Sequence, residues 1–315
     1  MRLTSPTLQF VERAGVIDLA WGHPAPAALP VQAWLECQEE ALRTYSWRAL
    51  TYGYAAGPGA LIEWLRDRLG RIDARTPAPA EVFVTAGASQ ALDLLSAWLT
   101  SPGDAVLVDS PTYHLALRIL ADRDVELIGA PADEHGIDPA ATAALLRRLA
   151  DQGRRVPLLY LVPTYGNPTG ASLPEGRRLD LIRIAGDAGV VLVEDDAYRE
   201  LGYDGTAPAS LWAMASGRGV VRVGTFSKTV GPGLRLGWFL WLRLPGSLTA
   251  TELLESAEHH GVSFLLGHRC FIGPAADDHV RLSFSMYEPD LLADAAHRLA
   301  LAFADAVRAA GRRRR

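Results

Sequence analysis

Between residues 80 and 243, short apolar runs alternate with longer amphipathic stretches, and this rhythm constrains the fold more than any single residue does. The runs lie at 81–85 (EVFVT), 105–109 (AVLVD), 125–129 (VELIG), 158–162 (LLYLV), 190–194 (VVLVE) and 220–224 (VVRVG). They are rich in Val, Leu and Ile and too short for helices, so each reads as a buried strand. Between them, 88–99, 139–150 and 174–188 carry apolar residues at three- and four-residue spacing, the last two with proline at the expected helix start. Repeated strand–helix–strand units predict an α/β fold, a mostly parallel sheet with helices on both faces. In such sheets ligands bind outside the carboxyl ends of the strands. The residues just past each strand therefore carry the functional information.

The flanks read differently. Residues 1–30 are proline-rich and irregular. Beyond 237 the pattern gives a strand-like run, a helix over 249–260, strands over 262–266 and 280–285, and a helix over 290–309, which predict a smaller helix-on-sheet unit. A net charge of −5 argues against nucleic acid as a partner. The longest apolar stretch, around 237–242, is too short to span a membrane, and residues 1–15 show no apolar signal core. Cys37 and Cys270 form neither a disulfide framework nor a metal-ligand spacing. Both read as core residues of a protein in a reducing compartment, the cytoplasm, and no metal site is expected. The Arg312–Arg315 tail reads as a solvated end.

Each strand end offers a polar group with two readings. Gly87, Ala88 and Ser89 open a helix after the first strand. Small residues let the backbone approach an anion, and the first-turn amides with the Ser89 hydroxyl can hold a phosphate, or the residues simply make a tight turn. Tyr113 follows the second strand and can stack on a flat ligand or fill the core. After the fourth, 163–170 holds two prolines and two glycines, a rigid loop that fixes the Asn167 amide or serves only as a turn. Asp195 follows the fifth. A carboxylate there is costly unless it meets a cation such as a protonated pyridine nitrogen, or else caps a helix. Tyr198 lies three residues on. Thr225, Ser227 and Lys228 follow the sixth, with Arg235 close behind.

Of the 31 lysines and arginines in the chain, Lys228 is the only lysine. A guanidinium stays protonated, whereas a desolvated lysine amine can lose its proton and attack a carbonyl. Schiff-base formation is the chemistry arginine cannot replace, and chance is the alternative. Together the strand ends supply phosphate donors, a ring stacker, a donor for a ring oxygen, an acid for a ring nitrogen and an amine. That inventory matches the needs of pyridoxal 5′-phosphate (PLP).

Six segments carry a family likeness: GASQAL (87–92), SPGDAVLVDSPTY (101–113), NPTG (167–170), EDDAY (194–198), SKTVGPGLRLG (227–237) and VRLSFS (280–285). On these the chain resembles the class I/II aminotransferases, PLP enzymes of fold type I. It looks nearest to aminoadipate/kynurenine-type transaminases and the effector domains of MocR-type regulators. Tyr52-Gly53, Gly57 and Leu65-Arg66 resemble the family's opening segment. The resemblance implies a mostly parallel seven-stranded sheet with helices on both faces and a small, shortened α+β domain. The division would be an N-terminal segment over 1–30 packing with the small domain, a large PLP-binding domain over 31–238 and a shortened C-terminal domain over 239–315. It also implies roles. Lys228 would carry PLP as an internal aldimine and act as base and acid, with Asp195 on the pyridinium nitrogen. Asn167 and Tyr198 would bond the ring oxygen, and Tyr113 would stack. Ala88, Ser89, Thr225, Ser227 and Arg235 would hold the phosphate, joined by Tyr52 from the second subunit of a homodimer. Arg281 would grip the substrate α-carboxylate, with Gly22 and Asn167 beside it. The implied activity is transfer of an amino group from an α-amino acid to a 2-oxo acid.

One departure from the family pattern matters. Members follow GLRLG with a strand, a long interdomain helix and part of the small domain before a Gly-aromatic strand ending in Leu-Pro. Here GLRLGW (233–238) runs straight into FLWLRLPG (239–246), so two landmarks are fused. This keeps two other readings in view. One is a PLP enzyme of another reaction type (elimination, oxidation or cyclisation) in a specialised pathway. The other is a non-catalytic PLP-binding sensor.

Overall fold

The computed structural model describes residues 13–20, 22, 25–202, 205, 207–231, 239–243, 249–272, 277–283 and 287–313, with 239–243 and 310–313 as backbone. In chain order the strands are β1 (Ile17–Asp18), β2 (Ala105–Val108), β3 (Glu126–Gly129), β4 (Ala132–Asp133), β5 (Gly136–Ile137), β6 (Leu158–Leu161), β7 (Val191–Asp195), β8 (Val220–Val223), β9 (Phe239–Arg243), β10 (Val262–Ser263), β11 (Leu265–Leu266) and β12 (His279–Ser283). The α-helices are α1 (Val31–Tyr45), α2 (Gly59–Asp73), α3 (Ala88–Leu99), α4 (His114–Ala121), α5 (Pro139–Asp151), α6 (Glu175–Ala188), α7 (Leu211–Met214), α8 (Ala250–His259) and α9 (Pro289–Arg313).

The central sheet runs β3-β2-β6-β7-β8 with every pair parallel. Side chains alternate between its faces, as the pleat requires. Leu107, Leu159, Leu161 and Leu192 point to one face, against Leu149 of α5, Leu181 of α6 and Leu211 of α7. Val106, Val108, Leu158, Tyr160 and Val193 point to the other, against Leu92 of α3 and Leu120 of α4. Each buried leucine there is worth roughly 1.5–3 kcal/mol of transfer free energy, which is why these runs are apolar on both faces. From β2 the chain moves outward to β3, whereas from β6 it moves the opposite way to β7 and β8. The order therefore reverses between β2 and β6, the place where an open sheet forms its ligand crevice.

Local signals set the helix ends. Asp138 Oδ1 accepts the amides of Ala140 (2.8 Å) and Ala141 (3.1 Å), capping α5 just ahead of Pro139. Gly189, at φ 68°, ends α6 in the left-handed conformation that a glycine adopts without strain. Thr249 and Glu252 form a reciprocal capping box on α8.

A second core joins the two ends of the chain. β1 pairs in parallel with β10, and β9, β12 and β11 form an antiparallel sheet with β12 in the middle. Ile17 and Leu19 pack with Leu253 of α8, Val280 and Leu282 of β12, and Ala302 of α9.

Three expectations differ from the described structure. Among the described residues, 81–85 joins no sheet: a 3-10 turn (Pro79–Glu81) leads into extended chain whose Val84 amide bonds the Ala56 carbonyl (2.8 Å), and Phe83 is 62% exposed. The pattern gives the extended conformation, but a strand needs a ladder partner, and none borders 81–85 among the described residues. Among the described residues the central sheet has five strands. The strand expected over 262–266 splits into β10 and β11, which join different sheets. Cys37 is exposed on α1, while Cys270 is buried. The expected boundary at 238/239 falls at the edge of 232–238, outside the described residues. Among the described residues, no helix is long and apolar enough to cross a membrane.

Candidate active site

The strand ends converge at the crevice. Asp195 closes β7, and its neighbours obey the alternation: Val193 and Asp195 share one face, Glu194 and Asp196 the other. Tyr160 stands opposite Val193 in the β6–β7 register, so its ring lies on the Asp195 face. Its hydroxyl donates to Asp195 Oδ2 at 2.8 Å. Asp195 Oδ1 is buried and has no hydrogen-bond partner among the described residues. Burial pushes this carboxyl up to about 6; Tyr160's hydrogen bond opposes that, Asp196 adds to it, and the charge of Lys228 pulls it back down.

The loop after β6 brings in Asn167, only 2% exposed. Its Nδ2 donates to the Tyr198 hydroxyl at 3.1 Å, and its Oδ1 is another buried acceptor without a partner among the described residues. Burial, with help from Asp195, keeps the Tyr198 phenol well above its ordinary pKa and so protonated. Lys228 sits in the turn after β8 with Nζ 5.2 Å from the centroid of the Tyr198 ring. In the same turn Thr225 Oγ1 accepts the Ser227 amide at 3.0 Å.

Ala88 and Ser89 form the first turn of α3, preceded by Gly87 at φ 91°. No side chain caps this end, which leaves first-turn amides available to an anion. Tyr113 immediately precedes α4, its ring edge-on to His114 with centroids 5.6 Å apart. Burial lowers the His114 imidazole to about 4, with Arg281 adding to the effect.

Arg281 of β12 is 3% exposed, and its Nη2 donates to the Ala20 carbonyl, two residues before the partly buried Gly22. Tyr113, Tyr198 and Cys270 all lie within electrostatic reach of its guanidinium. Lys228, Asp195, Tyr198, Asn167, Tyr113 and Arg281 are thus brought together by direct contact or mutual charge. Tyr52 is fully exposed at 102%, apart from this group. Arg235 lies outside the described residues.

Sequence reasoning missed two features. One is Tyr160, which it read only as part of an apolar strand. The other is an ion network on the opposite face of β7. Asp196 Oδ2 accepts from Arg199 Nε and pairs with Arg222 Nη2, both at 2.7 Å, and Arg222 also binds Asp73 of α2. Glu194 accepts the amides opening α7, Leu211 and Trp212, each at 3.0 Å. This network clamps the carboxyl end of β7, and hence the Asp195 backbone, to α2, α7 and β8. Arg222, inside the run VVRVG, was the available signal: a charge in a buried strand needs a partner.

A cleft of about 350 Å³ is lined by Asp109, Pro111, Glu134 and Thr169, with Ile137, Leu161 and Leu173 from the face of the sheet opposite Asp195. None of the candidate residues lines it. Among the described residues no cluster of His, Cys, Asp and Glu could hold a metal.

The arrangement can neutralise a cationic ring nitrogen at Asp195 Oδ1, bond a ring oxygen through Asn167 and Tyr198, and offer an amine beside both. The family model "Aminotransferase class I and II" matches residues 14–258. The aromatic-amino-acid aminotransferase 1 of Thermococcus litoralis is 35% identical over 239 residues, covering 73% of this chain and 55% of that protein. The 2-aminoadipate transaminase of Thermus thermophilus is 34% identical, over 73% of this chain and 56% of that protein. The chain spans about half the length of these curated relatives. A kynurenine aminotransferase of Pyrococcus horikoshii, solved with pyridoxamine phosphate, superposes with a TM-score of 0.84 at 25% identity over 93% of this chain and 91% of that one.

Proposed function

The chain belongs to the class I and II aminotransferase family, and on that basis we propose that it moves the amino group of an α-amino acid to a 2-oxo acid, with Lys228 as the attachment point for PLP. The observation that carries this is Asp195 Oδ1, a buried acceptor without a partner beside the chain's one lysine. A buried carboxylate oxygen calls for a cationic N–H, and a pyridinium is such a group. Asn167 Oδ1 is a second open acceptor that suits the same flat ligand or its substrate.

When bound, PLP supplies an electron sink for the substrate's α-carbon. The protein does the rest. Asp195 holds the ring nitrogen protonated. Asn167 and Tyr198 fix the ring oxygen, Tyr113 covers the ring, and the α3 amides with Ala88, Ser89, Thr225, Ser227 and Arg235 hold the phosphate. Arg281, buried and already anchored to the Ala20 carbonyl, orients the substrate carboxylate in a fork beside Gly22. That orientation brings the α-C–H toward Lys228. Its Nζ, once neutral, takes the proton and later returns it.

A second copy of the chain belongs to the proposal. No residue of α1 is buried, and Trp34, Leu35, Trp47, Leu50 and Tyr52 are all exposed. A homodimer covers this face and carries Tyr52 to the partner's phosphate. The proposed division is 31–238 for the cofactor and 239–315, with 1–30, for the substrate side. The reducing, cytoplasmic setting rests on the two free cysteines.

The test is reconstitution with PLP, followed by single amino acids. Holo-protein should absorb as a PLP Schiff base, Lys228→Ala should not, and at least one amino acid should convert the chromophore to the pyridoxamine form. Protein that stays colourless refutes the cofactor reading. Colour without conversion, alongside turnover to another product, favours elimination, oxidation or cyclisation, a reading that the fused 233–246 segment keeps open. Colour without any turnover favours a sensor.

A further inference from the structure

We propose that Tyr160 is a positioning residue for the cofactor's ring nitrogen: its phenol pins one oxygen of Asp195 so that the other faces the pyridine N–H. This rests on the PLP reading of the site and adds a residue to it.

Strand parity and register set the contact. A tyrosine in a parallel strand buried on both faces has to place its hydroxyl, because an unpaired buried O–H is costly. Tyr160 is 1% exposed and finds one partner, Asp195 Oδ2, at 2.8 Å. The pairing follows from the ladder: Tyr160 opposes Val193, and Asp195 is the next residue on that face. A carboxylate on a single Cβ–Cγ bond can swivel. Tying down Oδ2 removes that freedom and leaves Oδ1 as the oxygen without a partner.

The donor is permanent. Burial, reinforced by Asp195, pushes the Tyr160 phenol well above its ordinary pKa, so it stays protonated across the working range. It is also the principal hydrogen bond opposing the burial that raises Asp195. The other groups acting on that carboxyl are Asp196 from its own chain segment, Lys228 from the turn after β8 and the Ala197 amide. Asp196 repels, and its charge is already engaged by Arg199 and Arg222. Without Tyr160, Asp195 competes for the shared proton more strongly and with less fixed geometry, and the ring nitrogen gives up part of its pyridinium character.

Tyr160→Phe tests this, since it removes one oxygen and keeps the packed ring. Wild type and variant are loaded with PLP carrying nitrogen-15 in the ring, and the nitrogen resonance and the PLP dissociation constant are measured against pH. The wild type should show a pyridinium signal. The variant should move toward the neutral-pyridine position and hold PLP roughly ten- to a hundredfold more weakly, the range for a lost hydrogen bond to a charged group. Para-aminophenylalanine at 160, which keeps the ring and a weaker donor, should fall between them, and it carries the test if Tyr160→Phe does not fold. A residue with a packing role alone would alter melting and leave the nitrogen resonance in place. An unchanged resonance and affinity in either variant overturns the proposal while the PLP reading stands. A wild type that takes up no PLP overturns both.

Discussion

Asp195 should make the cofactor-free protein less stable, and Asp195→Asn should therefore stabilise it above about pH 6 while destroying its chemistry. The sign comes from linkage. Burial raises the folded-state carboxyl from 3.8 to about 6. Between those values the native state holds a proton that the unfolded chain has released, so stability falls as pH rises. The loss starts near pH 4 and is complete just above pH 6. A shift of about 2 pKa units at 1.36 kcal/mol each gives a penalty of about 3 kcal/mol, on the order of a fifth to a half of a typical domain's net stability. Asparagine has the same shape, can still accept from Tyr160, and carries no charge to desolvate.

The assay is urea unfolding of both apo-proteins at pH 4 and pH 7.5, with equal slopes required before midpoints are compared. The two should differ by only about 0.5 kcal/mol at pH 4, where the native carboxyl is neutral and the unfolded one has only begun to ionise. At pH 7.5 the variant should be more stable by up to about 3 kcal/mol. The gap should narrow when PLP is added to the wild type, because ligation stabilises only the form that binds. A variant no more stable than wild type at pH 7.5, or equally stabilised at both values, would contradict this account. It would mean that Oδ1 is hydrated or that the carboxyl titrates normally.

Other perturbations probe the scaffold. Arg222→Met leaves Asp73 and Asp196 with Arg199 alone to neutralise both and should cost about 3 kcal/mol in urea unfolding. Asp138→Ala removes the cap on α5 and should cost about 1 kcal/mol, with no change in PLP affinity. Gly87 sits at φ 91°, ψ 167° with open space where a Cβ would go, so Gly87→Ala meets backbone strain alone, about 1–3 kcal/mol. The same change should weaken binding of PLP more than of pyridoxal, which lacks the phosphate; equal losses would place the phosphate elsewhere.

The sequence carried the layered α/β plan because two-faced burial leaves a run of Val and Leu at every sheet strand, and β2, β6, β7 and β8 sit within a residue of their expected limits. It said less at 81–85, where the described residues show extended chain, because a strand also needs a neighbour and a local pattern holds no information about one. It failed at α1. Its cysteine and large apolar residues look like core by composition, and within one copy they face solvent. In both cases the missing information is long-range, a ladder partner or a covering surface.

Tyr160 shows how the two kinds of information combine. Residue type alone says that a buried phenol must find an acceptor; register alone says that 160 faces 193 and 195 rather than 194. Neither picks out Asp195 by itself, and EDDAY offers three consecutive carboxylates. Strand parity sorts them. Glu194 and Asp196 turn to the face where helix amides hold both oxygens of Glu194 and two arginines hold Oδ2 of Asp196, whose charge is thereby neutralised although its Oδ1 has no hydrogen-bond partner among the described residues. Asp195 turns to the face where one phenol holds one oxygen and the other has no hydrogen-bond partner among the described residues. A single residue's step along β7 thus separates a carboxylate that holds the fold together from one left open for a ligand. A shift of register by one would exchange their roles without changing a residue.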